Sequence, residues 1–313
     1  MRSIVPPDVS VIIANYAGDA VLRSCVASIH AQTSTPNEVL VVDAGPGQNA
    51  AALIRASDAR VLRRPNRGLG YLYNEGAREA TGDLLLLINN DVELAPDCLE
   101  ILTSALTSVP DAFATDPRQL GRDGSLIHGR ATLRRGPILR QPLPGFRLDL
   151  VAPADEDVDT VSANGAAMLV RRDRLLALGG FDETMFLDFE DIDLCWRAWC
   201  RGWRSVHVPA ATVCHHVGVA TREAGALRRR LQSSHHNLLR FSAKCFPAKD
   251  LARVVTGELL RLPRHPRLVA PALLRVVLEL PEILAARHAT RPSDALMAWI
   301  LSGQPTEAHG SQS

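Results

Sequence analysis

Two acidic clusters and a histidine pair carry the chemistry open to this chain. Asn89-Asn90-Asp91 closes the apolar run Leu84-Leu85-Leu86-Leu87-Ile88. Phe189-Glu190-Asp191-Ile192-Asp193 follows about a hundred residues later, ahead of His215-His216. A carboxylate just past a buried strand stands at the open edge of a parallel sheet, where α/β proteins bind ligands. Hard oxygen ligands suit Mg²⁺ or Mn²⁺, ions usually shared with substrate phosphates. A lone strand ending in Asn-Asn-Asp is more often a plain turn. The second acidic cluster and the histidines change that balance. Together they read as a metal ligand, a base and a second metal ligand for transfer from a phosphorylated donor.

These groups need a scaffold, and the first hundred residues supply one. Val9 to Ala14 is a β-branched run of strand type, followed by a helical pattern over residues 20 to 31 with Val21, Leu22, Cys25, Val26 and Ile29 on one face. Residues 38 to 42 form a second strand, 50 to 56 a helix, 60 to 62 a third strand, about 71 to 80 a helix and 84 to 88 a fourth strand. Strands alternating with helices imply a parallel sheet with right-handed crossovers. Its rim is then Asn15-Tyr16, Asp43, Asn66 to Gly68 and Asn89 to Asp91. No GxGxxG or GxxxxGK[ST] occurs, so neither a dinucleotide fold nor a P-loop is supported.

Residues 96 to 109 read as helix, and 116 to 158 as a long Gly-, Pro- and Arg-rich loop, a candidate lid over an acceptor. Met168 to Val170 and the segments 205 to 208 and 211 to 213 read as short strands, with 192 to 201 helical between them. Asp173 caps a short helix ending at Gly179-Gly180. Asp193 and Arg197, at i and i+4, suit an ion pair. The last third is helical and rich in arginine. Residues 268 to 278 are strongly apolar but broken by Pro271 and Arg275, which fits a closing helix hairpin or a segment lying in a membrane interface.

The composition is that of a globular protein, and a net charge of +1 gives no electrostatic case for nucleic acid as a partner. The six cysteines include no CxxC pair, so they read as buried thiols of a cytoplasmic protein. The N-terminus lacks the apolar stretch of a signal peptide, and no run reaches the ~20 apolar residues of a spanning helix.

Taken in order, Val9-Ser10-Val11-Ile12-Ile13-x-Asn15-Tyr16, Val41-Val42-Asp43, Asn66-Arg67-Gly68, Asn89-Asn90-Asp91, Gly179-Gly180-Phe181-Asp182-Glu183, Glu190-Asp191-x-Asp193-Leu194-Cys195-x-Arg197 and Val213-x-His215 resemble glycosyltransferase family 2, most of all its bacterial rhamnosyltransferase-type branch. The resemblance spans residues 9 to about 218. It implies a GT-A fold, an α/β architecture with a mostly parallel central sheet flanked by helices, here with a helical C-terminal extension. The expected organisation is a GT-A domain over residues 1–220, with a nucleotide-binding half (1–110) and an acceptor half (111–220). A helical extension (221–302), available for membrane contact, and a disordered tail (303–313) complete it.

The resemblance also implies roles. Asp191 matches the catalytic base of an inverting transfer, and Glu190 would bind acceptor hydroxyls or orient Asp191. Asp91 matches the metal-binding aspartate, with Asn89 replacing the first acid of that motif. His215 matches the histidine that completes the metal site or meets the diphosphate. Asp43 matches the residue at the nucleobase edge, but Ala44-Gly45-Pro46-Gly47 departs from the usual D-N-G-S-x-D continuation. Asn15, Asn66, Arg67, Gly68, Asn74 and Asn90 would surround the donor, and Gly165 would leave room for its sugar. The implied donor is a dTDP- or UDP-sugar, first dTDP-L-rhamnose, used with Mg²⁺ or Mn²⁺. The implied acceptor is a glycan or polyprenyl-linked glycan of cell-wall or surface-polysaccharide synthesis, reached from the cytoplasmic face of the membrane.

Two other readings compete. A sugar nucleotidyltransferase would also use a parallel sheet and metal-binding carboxylates, but would need a Gly/Arg/Lys-rich first turn where Asn15-Tyr16-Ala17-Gly18-Asp19 stands. A catalytically inactive glycan-binding relative would not need Asp91, Asp191 and His215 together.

Overall fold

The β-branched and leucine runs of the first half are apolar on both faces because helices cover both sides of the sheet they form. The computed structural model describes residues 7–16, 19–46, 49–55, 57–139, 144–151, 156–217 and 224–303. β1 (Val9–Asn15), α1 (Asp19–His30), β2 (Glu38–Asp43), α2 (Asn49–Leu53), β3 (Arg60–Arg63), α3 (Leu69–Glu79) and β4 (Leu84–Asn89) follow in order. The strands pair in parallel as β3-β2-β1-β4. Val11 and Ile13 pack on one face with Leu22, Val26 and Ile29 of α1. Ile12 and Ala14 pack on the other with Leu72 and Tyr73 of α3.

The second half extends this sheet. β5 (Val92–Leu94), α4 (Cys98–Ser108), β6 (Ala112–Leu120), β7 (Leu126–His128), β8 (Arg130–Arg135), β9 (Phe146–Val151), β10 (Val158–Asp159), β11 (Ala167–Arg171), α5 (Arg172–Ala177), α6 (Glu190–Cys200) and β12 (Arg204–His215) make it up. β11 runs antiparallel to both β4 and β6, and β12 lies parallel to β6. β5 pairs antiparallel with β12, setting Val92 opposite His215.

Residues 116 to 158 are therefore not the long loop that their composition suggests. β6 is a central strand, and β8 and β9 form a separate two-stranded sheet. The pattern misleads because β6 buries polar side chains. Asp116 is fully buried, with one carboxylate oxygen 3.0 Å from both His128 Nε2 and His207 Nδ1. Tertiary partners satisfy these groups, so apolar alternation is not required. The segments 205 to 208 and 211 to 213 likewise join in one strand, β12, with a register shift between Val208 and Thr212.

α7 (Ala224–Cys245), α8 (Ala248–Arg261), α9 (Pro266–Leu278), α10 (Leu280–Thr290) and α11 (Asp294–Ser302) close the fold. Pro271 lies inside α9 rather than ending it, on the exposed side of the helix. Trp196 of α6 is fully buried between the sheet and these helices. It meets Phe241 and Phe246 and donates from Nε1 to the Thr290 carbonyl at 3.1 Å. Trp199 packs on Trp299, so both tryptophans serve packing. All six cysteines are free thiols, four of them buried.

Buried charges bind α6 to α7. Asp193 takes Arg197 Nε at 2.8 Å, the ion pair expected from spacing, and Lys244 Nζ at 2.6 Å. Lys244 also reaches Asp182 at 2.7 Å, and Arg240 reaches it at 2.9 Å. Burial alone would raise the Asp182 carboxyl, but Lys244 and Arg240 hold it well below the usual carboxylate range. A depressed carboxylate stabilises the fold above its unfolded pKa, and that stability is lost as pH falls toward the folded value. Lys244→Met leaves two carboxylates facing each other without their shared cation. It is expected to lower the free energy of unfolding by ~3 kcal/mol in urea titrations. An unchanged midpoint would show that the network carries no stability.

Candidate active site

The strand-end turns of the sheet and the loop before α6 converge on one cavity of about 610 Å³. Asn15, Asn66, Gly68, Asn89, Asn90, Asp91, Gly165, Glu190, Asp191 and His215 all line it. Sites scattered over two hundred residues are thus brought together by sheet topology.

At the end of β1, Asn90 Nδ2 donates to Asn15 Oδ1 at 2.6 Å, and Asn15 Nδ2 donates to Asp43 Oδ1 at 2.8 Å. Gly68 allows the loop before α3 to approach the opposite wall. Its φ is +111°, and a Cβ there would stand 2.3 Å from the Phe186 carbonyl oxygen. The neighbouring Leu69 N–H donates to that carbonyl at 3.0 Å.

Asp91 and His215 meet because β5 pairs with the end of β12. Asp91 Oδ1 lies 3.5 Å from His215 Nε2, and the His216 N–H donates to the Asp91 carbonyl at 2.8 Å. A relay of amides sets the histidine's tautomer. The Ala166 N–H donates to Asn164 Oδ1 at 2.9 Å, which fixes that amide's orientation. Gln119 Nε2 donates to the same oxygen at 3.2 Å, which turns Gln119 Oε1 toward His215 Nδ1 at 3.0 Å. Nδ1 is therefore the donor to Gln119, and in the neutral ring Nε2 presents its lone pair to the Asp91 carboxylate. Two acceptors facing each other call for a cation between them, and a backed imidazole with one carboxylate is a known form of metal site. The residues fit a divalent ion that completes its shell with ligand oxygens and water. Among the described residues no group of three or more His, Cys, Asp or Glu side chains could hold a metal without such help.

Asp191 opens α6. Its Oδ2 accepts the Gly165 N–H at 2.9 Å and its Oδ1 the Ile192 N–H at 2.7 Å. Burial raises its pKa while those two donors pull the other way. Glu190 is buried, and one of its carboxylate oxygens meets no partner among the described residues. Burial, and then the adjacent Asp191 charge, push the Glu190 carboxyl well above the usual range. Both carboxyls are thus raised, Glu190 by burial and the neighbouring charge and Asp191 against its two backbone donors, a difference of environment that can separate acid from base roles.

The turn that aims them is strained. Asp188 and Phe189 have φ of 70° and 73°, left-handed values that a bulky residue rarely adopts. α7 holds the turn. Arg230 Nη2 donates to Asp188 Oδ1 at 2.9 Å and the Ser234 hydroxyl donates to Asp188 Oδ2. Asn237 Nδ2 donates to the Leu187 carbonyl at 2.9 Å and to the Asp188 carbonyl at 2.7 Å.

Three sequence-derived residues do not line the cavity. Arg67 lies over the Tyr71 ring at 4.7 Å and within 3.9 Å of Glu183. The Asn74 amide is consumed by the Phe181 backbone and Glu183, so it latches the turn after Gly180. Asp43 is buried behind Asn15 and paired with Arg63. Gly165 does face the cavity, but a Cβ there would meet Asp191 only at an ordinary 3.5 Å. Sequence reasoning missed Gln119, Asn164 and the α7 face. Polar positions 230, 234 and 237 at helical spacing were the available signal for the last of these.

The family model "Glycosyl transferase family 2" matches residues 10–162. The N-acetylglucosaminyl-diphospho-decaprenol L-rhamnosyltransferase of Mycobacterium tuberculosis is 30% identical over 71% of this chain and 78% of its own. The chain belongs to glycosyltransferase family 2. The rhamnosyltransferase WbbL of Escherichia coli is also 30% identical, over 56% of this chain and 69% of its own. Among solved structures, GalNAc-T7 with UDP, GalNAc and Mn²⁺ superposes with a TM-score of 0.62 at 16% identity, over 79% of this chain and 49% of that one. The Pyrobaculum calidifontis mannosyltransferase PcManGT, in complex with GDP-Man and Mn²⁺, gives 0.56 at 17% identity over 95% and 84%. The GT-A fold with a helical C-terminal region, and the glycosyltransferase class of the enzyme, follow.

If the α7 clamp sustains the strained turn, Asn237→Ala will let it relax and shift both carboxylates. Donor turnover is expected to fall roughly 10²-fold, the cost of an ångström-scale misplacement, while the melting temperature drops by only a few degrees. Equal activity in variant and wild type would show that the turn holds without α7.

Proposed function

We propose that this family 2 enzyme transfers L-rhamnose from dTDP-L-rhamnose, with inversion at the anomeric carbon and with Mg²⁺ or Mn²⁺, to a polyprenyl-diphosphate-linked glycan. The carrying observation is that Asp191 shares a cavity with the facing Asp91–His215 pair. Support for rhamnose and for a lipid diphosphate comes from the relatives, one of which is named for both. Support for the metal comes from the two solved neighbours that hold Mn²⁺ beside a nucleotide or nucleotide sugar.

In this reading Asn15, Asn66, Gly68 and Asn90 receive the nucleotide end of the donor. Asp43 acts through Asn15, whose amide it orients, and Arg67 and Asn74 shape the neighbouring loops. Asp191 takes the proton of the acceptor hydroxyl as that oxygen attacks C1. Glu190, whose carboxyl burial raises and one of whose oxygens meets no partner among the described residues, would hydrogen-bond the acceptor. Gly165 leaves the sugar open space and, through its N–H, keeps Asp191 aimed. A divalent ion held by Asp91 and His215 would neutralise charge on the departing diphosphate.

The test is thermal shift and turnover with dTDP-, UDP- and GDP-sugars, with and without each metal. dTDP-L-rhamnose is expected to raise the melting temperature in a metal-dependent way that Asp91→Ala abolishes. Asp191→Asn should keep donor binding and lose 10²- to 10⁴-fold in turnover, roughly the worth of a general base. Because Asp191 must be ionised and burial raises its pKa, the wild-type rate should fall on acidification above the ordinary aspartate range. Undiminished turnover in Asp191→Asn would sink the assignment of the base.

The same reading gives the outer face of α9 a role. Val269, Ala272 and Val276 point inward, while Arg267, Ala270, Pro271, Leu274, Val277 and Leu278 are exposed. No helix among the described residues is long and apolar enough to cross a membrane. An apolar stripe ending in arginine, on a helix packed against the cavity-lining α7, suits contact with an anionic lipid surface. Co-sedimentation with phosphatidylglycerol vesicles is expected, and Leu274→Glu/Leu278→Glu should release the protein. Equal sedimentation of the double variant would exclude this face.

A further inference from the structure

One wall of the cavity is built from α7, and its chemistry differs from that of the strand-end turns. The turns bring Asp91, Glu190 and Asp191, whereas α7 brings Arg229, Arg230 and His235. Arg230 is committed to Asp188. Arg229 is not: it meets no carboxylate among the described residues, and its guanidinium lies 6.0 Å from the centre of the Phe186 ring. An aromatic face beneath a guanidinium holds the charge in place without neutralising it.

His235 is backed from below. Its Nδ1 lies 2.6 Å from Oε2 of Glu258, which is fully buried, and the other oxygen of Glu258 takes Arg261 Nη1 at 2.7 Å. A buried carboxylate holding Nδ1–H fixes the ring and leaves Nε2 as its other polar atom, on a residue that lines the cavity. Around these groups the wall is apolar, with Leu148, Val217, Leu231 and Leu238. Val217 and Leu231 stay exposed at 57% and 42%.

From this juxtaposition we infer that Arg229 and His235 of α7 form the binding site for the acceptor's diphosphate, with the surrounding apolar wall receiving the first isoprene units of its lipid. The inference rests on the donor and acceptor reading above and deepens it. Charge decides the placement. The Asp91–His215 pair, with the ion it would hold, would account for the donor diphosphate at the sheet edge. On another element the Arg229 guanidinium, which meets no carboxylate among the described residues, matches a second anion. Arginine suits it through several directed N–H groups, and the His235 ring, fixed by Glu258, adds a polar edge beside it. The apolar side chains flanking those donors make sense for an anion joined to a hydrocarbon chain and not for a free sugar.

The test uses the full chain saturated with dTDP and Mg²⁺, so that the donor subsite is filled, and follows farnesyl diphosphate binding by titration calorimetry, with farnesol as the neutral control. Farnesyl diphosphate is expected to bind the loaded protein, and farnesol far more weakly. Arg229→Gln and His235→Gln should each weaken farnesyl diphosphate by about tenfold, the typical worth of one charge-assisted hydrogen bond, with dTDP affinity unchanged. Failure of the wild type to bind farnesyl diphosphate, or equal affinity in both variants, would overturn the inference. So would variants that weaken dTDP instead, since α7 would then serve the donor. A wild type that binds farnesyl diphosphate through α7 but no dTDP would count against the donor reading alone and support this site.

Discussion

The left-handed turn at Asp188 and Phe189 is the constraint on which the rest of the site depends. Two consecutive non-glycine residues at positive φ cost on the order of a few kcal/mol, and they persist only where surroundings over-determine them. Here the surroundings are Arg230, Ser234 and Asn237 of α7. The turn starts α6 so that Glu190 and Asp191 face the cavity and Asp193 and Trp196 face the C-terminal helices. The C-terminal helices are thus part of the scaffold of the candidate site. The buried charges of Asp182, Asp193, Arg240 and Lys244 fix α7 against α6, and α7 in turn fixes the turn.

The opposite side of the site is governed by direction of hydrogen bonding. One backbone N–H, that of Ala166, orients Asn164, then Gln119, then His215, and so determines which ring nitrogen confronts Asp91. The same short loop carries the Gly165 N–H that holds Asp191. Residues 164 to 166 therefore couple the Asp91–His215 pair to Asp191, the carboxylate proposed as base. A small backbone displacement there would disturb both at once.

Much of this was legible in the sequence. The parallel half of the sheet followed from β-branched runs alternating with amphipathic helices, and the strand-end turns named most of the cavity's rim. Asp91, Glu190, Asp191 and His215 stood out because acids and histidines recur at strand and helix ends, and the fold does bring all four to one cavity. What could not be read had physical causes. β6 hides its identity by burying Asp116 and Gln119 against histidines and an asparagine far away in sequence. Asn74 and Arg67 sit in the right segment, yet their side chains turn to Glu183 and Tyr71, which only the tertiary packing reveals. Asp188 and Phe189 carry no glycine to announce positive φ. Pro271 suggested a break in α9, but it stands on the exposed side of a helix whose inner residues are packed.

In the proposed reaction a single displacement occurs at the anomeric carbon, with Asp191 as the base and the diphosphate leaving from the Asp91–His215 side. The most direct measurement is the anomeric configuration of the first-formed product, read by proton NMR with dTDP-β-L-rhamnose as donor. The expected product is an α-linked rhamnoside, or α-rhamnose when water is the acceptor. A β product would mean retention and would contradict the assignment of Asp191 as a base acting in one step.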